Sequence, residues 1–300
     1  SDVCSSDLEM KKGKVGVITG GGSGHEPAFV GYLGDGMLDS VAIGEVFASP
    51  PALAFYDAIV DADQGEGVAV LFGNYAGDNM NVKMAVQMAE DDDIEVKYVV
   101  ANDDVASAPK AVKEQRHGIA GGFFMWKVGG ARAAKGGSLD DVIASAQNVV
   151  NRTKSICVGL EPCVIPALGH SNFKIEDGTM EFGVGHHGEA GTKVEKLKSA
   201  SEMAQEMAET ILNDFDFEEG KEVAVMLSGL GATPVMELYV LYDEVEKVLA
   251  KAGHKVWKTY IGNYVTSLDM NGASLTIVDL DDEIKELLSE PAVPIGMKNY

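Results

Sequence analysis

The stretch KVGVITGGGSGHEP (14–27) decides the fold, because a run rich in β-branched residues ends in a cluster of glycines. Residues 14–19 predict a buried strand, and the glycines after it predict a loop that leads into a helix. The same order returns downstream, where GVAVLFGN (67–74) predicts a second strand, residues 79–91 its crossover helix and VKYVVAN (96–102) a third strand. Strands that alternate with amphipathic helices indicate an α/β fold with crossover connections.

The rest of the chain continues this alternation. Helices are predicted at residues 49–60, 138–151, 195–214 and 234–253, and strands at 156–160, 223–227, 260–268 and 274–280. Ser49 and Ser138 stand where a helix N-cap is expected, and Pro50 and Pro51 suit a first helical turn. A turn is predicted at residues 270–272, between the last two strands.

A change in character near residue 153 predicts a domain boundary. We expect two α/β domains, 9–153 and 154–300, each a mixed sheet with flanking helices. Residues 1–8, SDVCSSDL, resemble the translation of a sequencing adapter, so we expect them to be non-native and the true N-terminus to be missing. The segment 161–192, rich in Gly, Pro and His, is predicted to be a long functional loop.

Composition argues against several classes of partner. Asp plus Glu number 47 against 24 Lys plus Arg, and a net charge of -23 repels nucleic acid and anionic membrane surfaces. No stretch has the length of a membrane-spanning helix, and the first residues lack a secretory signal, so a cytoplasmic location is expected. Cys4, Cys157 and Cys163 show no CxxC spacing, which favours reduced thiols over a zinc or redox site.

The first loop with chemical potential is GGGSGHEP, in which Gly22, Ser23 and Gly24 precede His25. Glycines at a strand end let backbone N–H groups approach an oxygen-rich ligand. The Walker lysine and the spacing of a dinucleotide fingerprint are both missing, so the loop is weak as a nucleotide motif. A zinc-protease HExxH fails because residue 29 is Phe. A tight turn with a structural histidine remains the alternative.

The second loop, GNYAGDNMN (73–81), follows the strand 67–74 and carries Asn74, Tyr75 and Asp78. Ligands in open α/β sheets bind at the carboxyl ends of strands, so Asp78 and His25 are expected at one crevice. A carboxylate beside a histidine can orient the ring or share in proton transfer. The alternative role of Asp78 is a helix N-cap, which would not exclude catalysis.

The third loop, GVGHHGEAG (183–191), flanks His186 and His187 with glycines and adds Glu189. Adjacent histidines on an extended chain point to opposite faces, so they suit a shared metal poorly. A nucleophile needs only one accessible neutral imidazole and an electrophilic carbon. We therefore expect neither a metal nor a cofactor site in this chain.

Together the loops resemble motifs of the substrate-binding K subunit of dihydroxyacetone kinases, which read approximately GGGSGHEP, KNYTGDxxN and GIHGEPG. All three occur in the family's order and spacing. The similarity runs from about Lys14 to the C-terminus and includes LGATPxxELY (230–239) and TSLDM (266–270). The family's chain begins with a further segment that is absent here.

The resemblance implies a two-domain α/β protein that forms a homodimer and acts with a separate nucleotide-binding L subunit. The phosphoryl donor, ATP with Mg²⁺ or a phosphorylated carrier protein, then belongs to the partner. The acidic run 91–93 is interpreted as a solvated helix end rather than as a nucleotide or metal site.

The resemblance also implies residue roles. His187 takes the position of the histidine that binds the ketone as a covalent hemiaminal, His25 that of the general base, and Asp78 that of the aspartate that assists the reacting hydroxyl. Contacts with the substrate are implied for the residues around these three, namely Gly22, Ser23, Gly24, Asn74, Tyr75, Gly188 and Glu189.

Several positions depart from the family's pattern. Gly73 stands in place of a lysine, His186 in place of isoleucine, Ala190 in place of proline, and 228–229 in place of two asparagines. Loss of the lysine removes a charge-assisted hydrogen bond of about 1.5 to 3 kcal/mol. These changes favour a ketose larger than dihydroxyacetone, with four carbons or a branch. A catalytically silent ketone sensor is the alternative function, and a metal-dependent hydrolase is a third.

Overall fold

The computed structural model describes residues 3–5, 13–171, 173–216 and 220–297. The chain forms two compact units. The first unit contains the described residues of 1–101, 122–151 and 281–300, and the second contains those of 102–121 and 152–280. Each unit has a mixed sheet flanked by helices, which confirms the predicted fold class.

The sheet of the first unit has five strands in the order β1-β4-β2-β5-β6. The strands are β1 (Val3–Ser5), β2 (Gly16–Ser23), β4 (Ser40–Val46), β5 (Val68–Gly73) and β6 (Val96–Ala101). All neighbours are parallel except β1, which pairs antiparallel with β4 at the edge. Two short strands, β3 (Gly34–Asp35) and β13 (Val293–Pro294), form a separate ladder.

The helices of this unit are α1 (Ala52–Ala62), α2 (Ala76–Asp91), α3 (Gly122–Ala134), α4 (Leu139–Asn151) and α7 (Asp282–Ser289). The prediction that Ser138 caps α4 is confirmed, since its hydroxyl accepts the N–H of Asp141 while the Asp141 carboxylate accepts the N–H of Ser138. The sequence pattern missed α3 because its residues are buried almost all round, which removes the polar face that reveals a helix.

The six-stranded sheet of the second unit runs in the order β11-β10-β12-β7-β8-β9. Its strands are β7 (Thr153–Glu161), β8 (Thr179–Phe182), β9 (Lys193–Lys196), β10 (Glu222–Gly229), β11 (Lys255–Gly262) and β12 (Asn271–Asp279). Only the β10–β11 pair is parallel among these described strands. The helices α5 (Ala200–Asp214) and α6 (Val235–Lys251) pack on the sheet through a common apolar core.

The second unit corrects three predictions. The predicted loop 161–192 contains β8, a short strand without a long β-branched run. The helix predicted from residue 195 begins at Ala200, because Ser199 and Glu202 form a capping box and the preceding residues pair as β9. The turn predicted at 270–272 is wrong, since Asn271 and Gly272 already pair with β7.

Each unit is discontinuous along the chain, whereas the prediction gave each domain one continuous range. The segment 102–121 leaves the first unit after β6, and the bridge of Asp104 with Ser155 ties it to the second. In the reverse direction, α7 returns to the first unit, where Glu283 pairs with Arg132 at 2.5 Å.

Three residues of the N-terminal segment take part in the sheet of the first unit. Residues 3–5 lie within the segment predicted to be non-native, yet they form the edge strand β1, because ladder hydrogen bonds need no particular side chain. Residues 1, 2 and 6–8 of that segment lie outside the described residues. No helix among the described residues is long and apolar enough to cross a membrane.

Candidate functional site

The glycine run of the first loop belongs to a strand rather than to a loop. β2 continues through Gly20, Gly21 and Gly22, which pair with β4. A Cβ at Gly20 would overlap the ring of Phe55, and one at Gly22 would lie 2.7 Å from the backbone nitrogen of Ala48. These glycines are therefore required for close packing on the strand, and Ser23 ends it with its hydroxyl donating to the Gly44 carbonyl at 2.8 Å.

His25 lies two residues after the end of this strand and packs against aromatic rings. Its imidazole stacks on Phe47 with 5.2 Å between ring centroids and meets the edge of Phe29 at 6.2 Å. Only 4% of the residue is exposed. The N–H of Gly24 donates to the carboxylate of Glu26 at 3.1 Å, which folds the chain around the histidine. Packing thus gives the ring a defined orientation.

Asp78 lies in the first turn of α2, but it is not the N-cap, which is Tyr75. Its carboxylate accepts a hydrogen bond of 2.6 Å from the hydroxyl of Ser49, and Asn81 donates to the same hydroxyl oxygen at 3.2 Å. The alternative role of Asp78 as a helix cap is therefore wrong. Ser49 does not cap α1 either, because that helix begins after Pro51.

The short turn that carries Phe47 and Ser49 joins the two loops of the first unit. Phe47 stacks on His25, and Ser49 holds Asp78. A Cβ at Gly77 would also lie 2.9 Å from the Cβ of Ser49. Sequence reasoning missed Ser49 as part of this arrangement, since a serine before two prolines is equally typical of a helix start.

Asn74 and Tyr75 form the connection between β5 and α2. The side chain of Asn79 donates to Asn74 Oδ1 at 2.8 Å and to the Tyr75 carbonyl at 2.9 Å. The N–H of Asn74 donates to the carbonyl of Ala101 on the neighbouring strand. Both residues are half-buried at the carboxyl end of β5, where an open α/β sheet exposes its ligand-binding edge.

The histidine loop of the second unit, residues 183–191, is a tight turn. Gly185 donates to the carbonyl of Glu189 at 2.9 Å, and Gly188 donates to that of Gly185 at 3.1 Å. Gly183 and Gly188 have φ of 76° each, a left-handed conformation that strains other residues. The glycines are therefore needed to shape the turn that presents His187.

His187 is held by the carboxylate of Glu189. The imidazole Nδ1 lies 3.0 Å from Glu189 Oε1, and the backbone N–H of His187 donates to Oε2 at 2.8 Å. Although burial alone would raise the pKa of Glu189, the hydrogen bond and charge of His187 lower it to about 2. An ionised carboxylate at Nδ1 selects the tautomer with its proton on that nitrogen, which leaves the lone pair on Nε2.

The two adjacent histidines lie in different surroundings. His186 is 3% exposed, and its carbonyl accepts the hydroxyl of Ser267. The side chain of His187 is 24% exposed. Among the described residues, no three His, Cys, Asp or Glu side chains lie close enough to hold a metal ion.

The predicted site residues are divided between the two units. Gly22, Ser23, Gly24, His25, Asn74, Tyr75 and Asp78 belong to the first unit, and His187, Gly188 and Glu189 belong to the second. Each group therefore has its own internal geometry: strand ends and one helix turn in the first unit, and a glycine-rich turn in the second.

Comparison with known proteins gives consistent results over nearly the whole chain. The model of the Dak1 domain matches residues 2–295. The dihydroxyacetone-binding subunit DhaK of a PTS-dependent dihydroxyacetone kinase from Listeria innocua is 42% identical over 275 residues, which cover 92% of this chain and 84% of that protein. The D-erythrulose kinase of Mycolicibacterium smegmatis is 38% identical over 94% of this chain, which spans 49% of that longer protein.

A solved structure is similar in fold and in sequence. It is the dihydroxyacetone kinase operon co-activator DhaQ, with a TM-score of 0.93 and 31% identity. The match covers 98% of this chain and 91% of that one.

Proposed function

This chain belongs to the Dak1 domain family, and from that membership we propose that it is the ketose-binding subunit of a two-component kinase. It holds a small hydroxyketone as a covalent hemiaminal on His187, for phosphoryl transfer from a separate nucleotide-binding subunit. The observation that carries this proposal is the contact of His187 Nδ1 with the Glu189 carboxylate, 3.0 Å long, which directs the lone pair to Nε2.

The covalent step follows from this tautomer. Nε2 attacks the ketone carbon, the carbon–nitrogen bond forms, and the electron pair of the carbonyl π bond moves to oxygen, which takes up a proton. Glu189 offsets the positive charge that develops on the ring. Only a carbonyl compound can form this bond, so polyols of similar size are excluded, and the bound ketose is fixed for in-line transfer.

His25 and Asp78 act on the hydroxyl that receives the phosphoryl group. His25 removes its proton as general base, and Asp78 assists. Stacking on Phe47 and the hydrogen bond from Ser49 support these roles, because both side chains are already oriented without a ligand. Gly22, Ser23, Gly24, Asn74, Tyr75 and Gly188 are proposed to line the ketose.

The phosphoryl donor belongs to a partner. A nucleotide-binding L-type subunit supplies ATP with Mg²⁺, or a phosphorylated carrier protein takes its place, and two copies of this chain form a homodimer. The relatives include subunits of a PTS-dependent and of a PEP-dependent dihydroxyacetone kinase, which supports a carrier as the donor.

We propose a ketose larger than dihydroxyacetone as the substrate. Gly73 ends β5 where the family's lysine stands, next to Asn74, and several relatives are named erythrulose kinases. With a purified L-type partner, turnover of erythrulose should exceed that of dihydroxyacetone. Gly73→Lys should shift this preference toward dihydroxyacetone by roughly 10- to 100-fold, as expected for one charge-assisted hydrogen bond. A wild-type preference for dihydroxyacetone would contradict the larger substrate.

The covalent link is tested by ¹³C NMR with dihydroxyacetone and erythrulose labelled at the carbonyl carbon. On binding, the carbonyl resonance should give way to that of a tetrahedral carbon. His187→Ala should abolish the new resonance, and His170→Ala, which removes an exposed histidine of the same unit, should leave it unchanged. An adduct that survives His187→Ala, or no adduct with either ketose, would disprove the mechanism.

A co-activator that senses ketones is the second candidate, favoured by the structural similarity to DhaQ. It predicts the same adduct on His187 but no turnover with any L-type partner. Assays of ketose phosphorylation, made with the L-type subunit whose gene lies nearest to the gene of this chain, separate the two functions.

A further inference from the structure

The peptide bond between His186 and His187 is held at both of its polar groups. On one side, the N–H of His187 donates to Oε2 of Glu189 at 2.8 Å. On the other side, the carbonyl of His186 accepts the hydroxyl of Ser267 at 2.5 Å. Because a peptide bond is planar, these two hydrogen bonds fix the plane of the whole unit. The position of the His187 Cα is fixed with it.

Glu189 links this peptide bond to the ring of His187. While Oε2 accepts the N–H, Oε1 lies 3.0 Å from Nδ1 of the same residue. The two oxygens belong to one planar carboxylate, so a rotation of the peptide that withdraws the N–H also displaces the oxygen that meets the ring. The hydrogen bond from Ser267 to the backbone therefore acts on the contact at Nδ1.

Ser267 lies in a segment whose backbone is itself fixed. The residue is fully buried, its N–H donates to the carbonyl of Leu230 at 2.9 Å, and its carbonyl accepts the N–H of Met270 at 3.0 Å. Leu268 has a φ of 53°, a left-handed conformation that is uncommon for a residue with a side chain. A Cβ on Gly231 would lie 1.9 Å from the carbonyl oxygen of Leu268, so the neighbouring turn approaches closely. The hydroxyl is thus presented from a rigid support.

The hydroxyl of Ser267 has one proton, and two acceptors lie near it. The carbonyl oxygen of His186 is 2.5 Å away, and Sγ of Cys163 is 3.9 Å away. Sulfur is a weak acceptor, so the nearer carbonyl takes the proton. The hydrogen bond is therefore directed at the histidine loop.

We propose that Ser267 is a positioning residue for the nucleophile: by holding the peptide between His186 and His187, it keeps the Glu189 carboxylate at Nδ1 and the lone pair on Nε2. Without the hydroxyl, the peptide can rotate, and the ring can take the tautomer that has its proton on Nε2. That tautomer has no lone pair on Nε2 for attack on a ketone. The inference rests on the covalent role proposed for His187.

The test is the ¹⁵N NMR spectrum of the His187 ring in the full chain without ketose, at a pH above the titration of the ring. In wild type, the signals should show a protonated Nδ1 and an unprotonated Nε2. In Ser267→Ala the two signals should move toward each other, because both tautomers become populated. Identical ring signals in wild type and Ser267→Ala would overturn the proposal.

Ser274→Ala is the matched control for this spectrum. It removes a fully buried hydroxyl of the same unit for which the described residues offer no hydrogen-bond partner. The ring signals of His187 should therefore be those of wild type. The same shift in Ser274→Ala as in Ser267→Ala would overturn the proposal, since loss of any buried hydroxyl would then suffice.

A second measurement follows the adduct with a ketose labelled at its carbonyl carbon. The concentration that half-saturates the adduct should rise by roughly 10-fold in Ser267→Ala, as expected for one hydrogen bond, and should stay the same in Ser274→Ala. An unchanged concentration in Ser267→Ala would overturn the proposal. Absence of the adduct in wild type would instead contradict the proposed function, and the ketose-free spectrum would still decide the role of Ser267.

A third measurement needs no variant. In wild type, the N–H of His187 should exchange with D₂O much more slowly than in an unstructured chain, because Glu189 holds it on a fixed peptide. Exchange at the rate of an unstructured chain would overturn the proposal even if Ser267→Ala failed to fold.

Discussion

The first unit and the second unit prepare their side chains by different physical means. In the first, His25 is oriented by aromatic stacking and Asp78 by the hydroxyl of Ser49. In the second, His187 is held by Glu189, whose pKa the hydrogen bond and charge of His187 lower to about 2, and burial raises the pKa of Asp104 to about 7. Packing fixes geometry in the first unit, whereas charge fixes protonation in the second. Substitutions in the two units should therefore impair different steps of the proposed reaction.

The largest expected effect that separates the units is that of Asp78→Asn. Turnover with the partner subunit should fall by about 10²- to 10⁴-fold, because proton transfer would lose the carboxylate that is proposed to assist it. The ¹³C adduct should form as in wild type, since His187, the proposed nucleophile, belongs to the other unit. Asp91→Asn, at the exposed end of the same helix, is the control and should affect neither measurement. Loss of the adduct in Asp78→Asn would contradict the separation of proton transfer and ketone binding between the two units.

The second expected effect is a change in the free energy of unfolding caused by Asp104→Asn. The folded state retains a proton on Asp104 up to a pH of about 7, because burial raises its pKa, while the unfolded chain releases the proton near 3.8, the ordinary pKa of an aspartate. The free energy of unfolding of wild type therefore falls as pH rises between these values, and the Asn variant escapes this loss. At pH 8 the variant should be more stable by roughly 2 to 4 kcal/mol, and near pH 4 the two should be similar.

Denaturant unfolding at both pH values measures this difference. Asp177→Asn is the control, since substitution of an exposed aspartate of the same unit should change stability by less than about 0.5 kcal/mol. A stability gain that is the same at pH 4 and pH 8 would show that packing, and not ionisation, distinguishes Asp104 from asparagine.

The smallest expected effect is that of Ser49→Ala. The hydrogen bond to Asp78 is worth about 1 to 2 kcal/mol, which corresponds to a fall in kcat of about 5- to 30-fold with little change in KM. Ser49→Thr keeps the hydroxyl and should restore most of the activity. If Ser49→Ala altered KM instead, the hydroxyl would be contacting the ketose rather than orienting Asp78.

Much of the fold followed from the sequence because strand positions are set by β-branched runs. The strands at 16–23, 68–73 and 96–101 lie close to their predicted positions. What the pattern missed has two physical causes. α3 is buried almost all round and shows no amphipathic period, and the exchange of segments between the units depends on tertiary contacts such as Arg132 with Glu283.

Prediction of the candidate site from the sequence has a similar limit. The three loops and their histidines follow from local composition, but the partners of these side chains do not. Ser49 lies 29 residues from Asp78 in sequence, and its setting before two prolines indicates a different role. Asp104 is buried and its pKa is raised to about 7, and neither its burial nor this shift leaves a motif in the sequence. The sequence therefore predicts which groups react, and the structure shows which side chains hold them.

The close packing of Gly20, Gly21 and Gly22 has a consequence for redesign. At each of these positions, atoms of a neighbouring residue occupy the space that a Cβ would need. Most members of a library that varies the whole GGGS motif would therefore be proteins that cannot fold. Under the proposed function, changes in ligand choice are expected at the ends of the neighbouring elements, such as Gly73 at the end of β5. In evolution, the substrate could therefore change through substitutions at these ends while the glycine-rich strand β2 stayed the same.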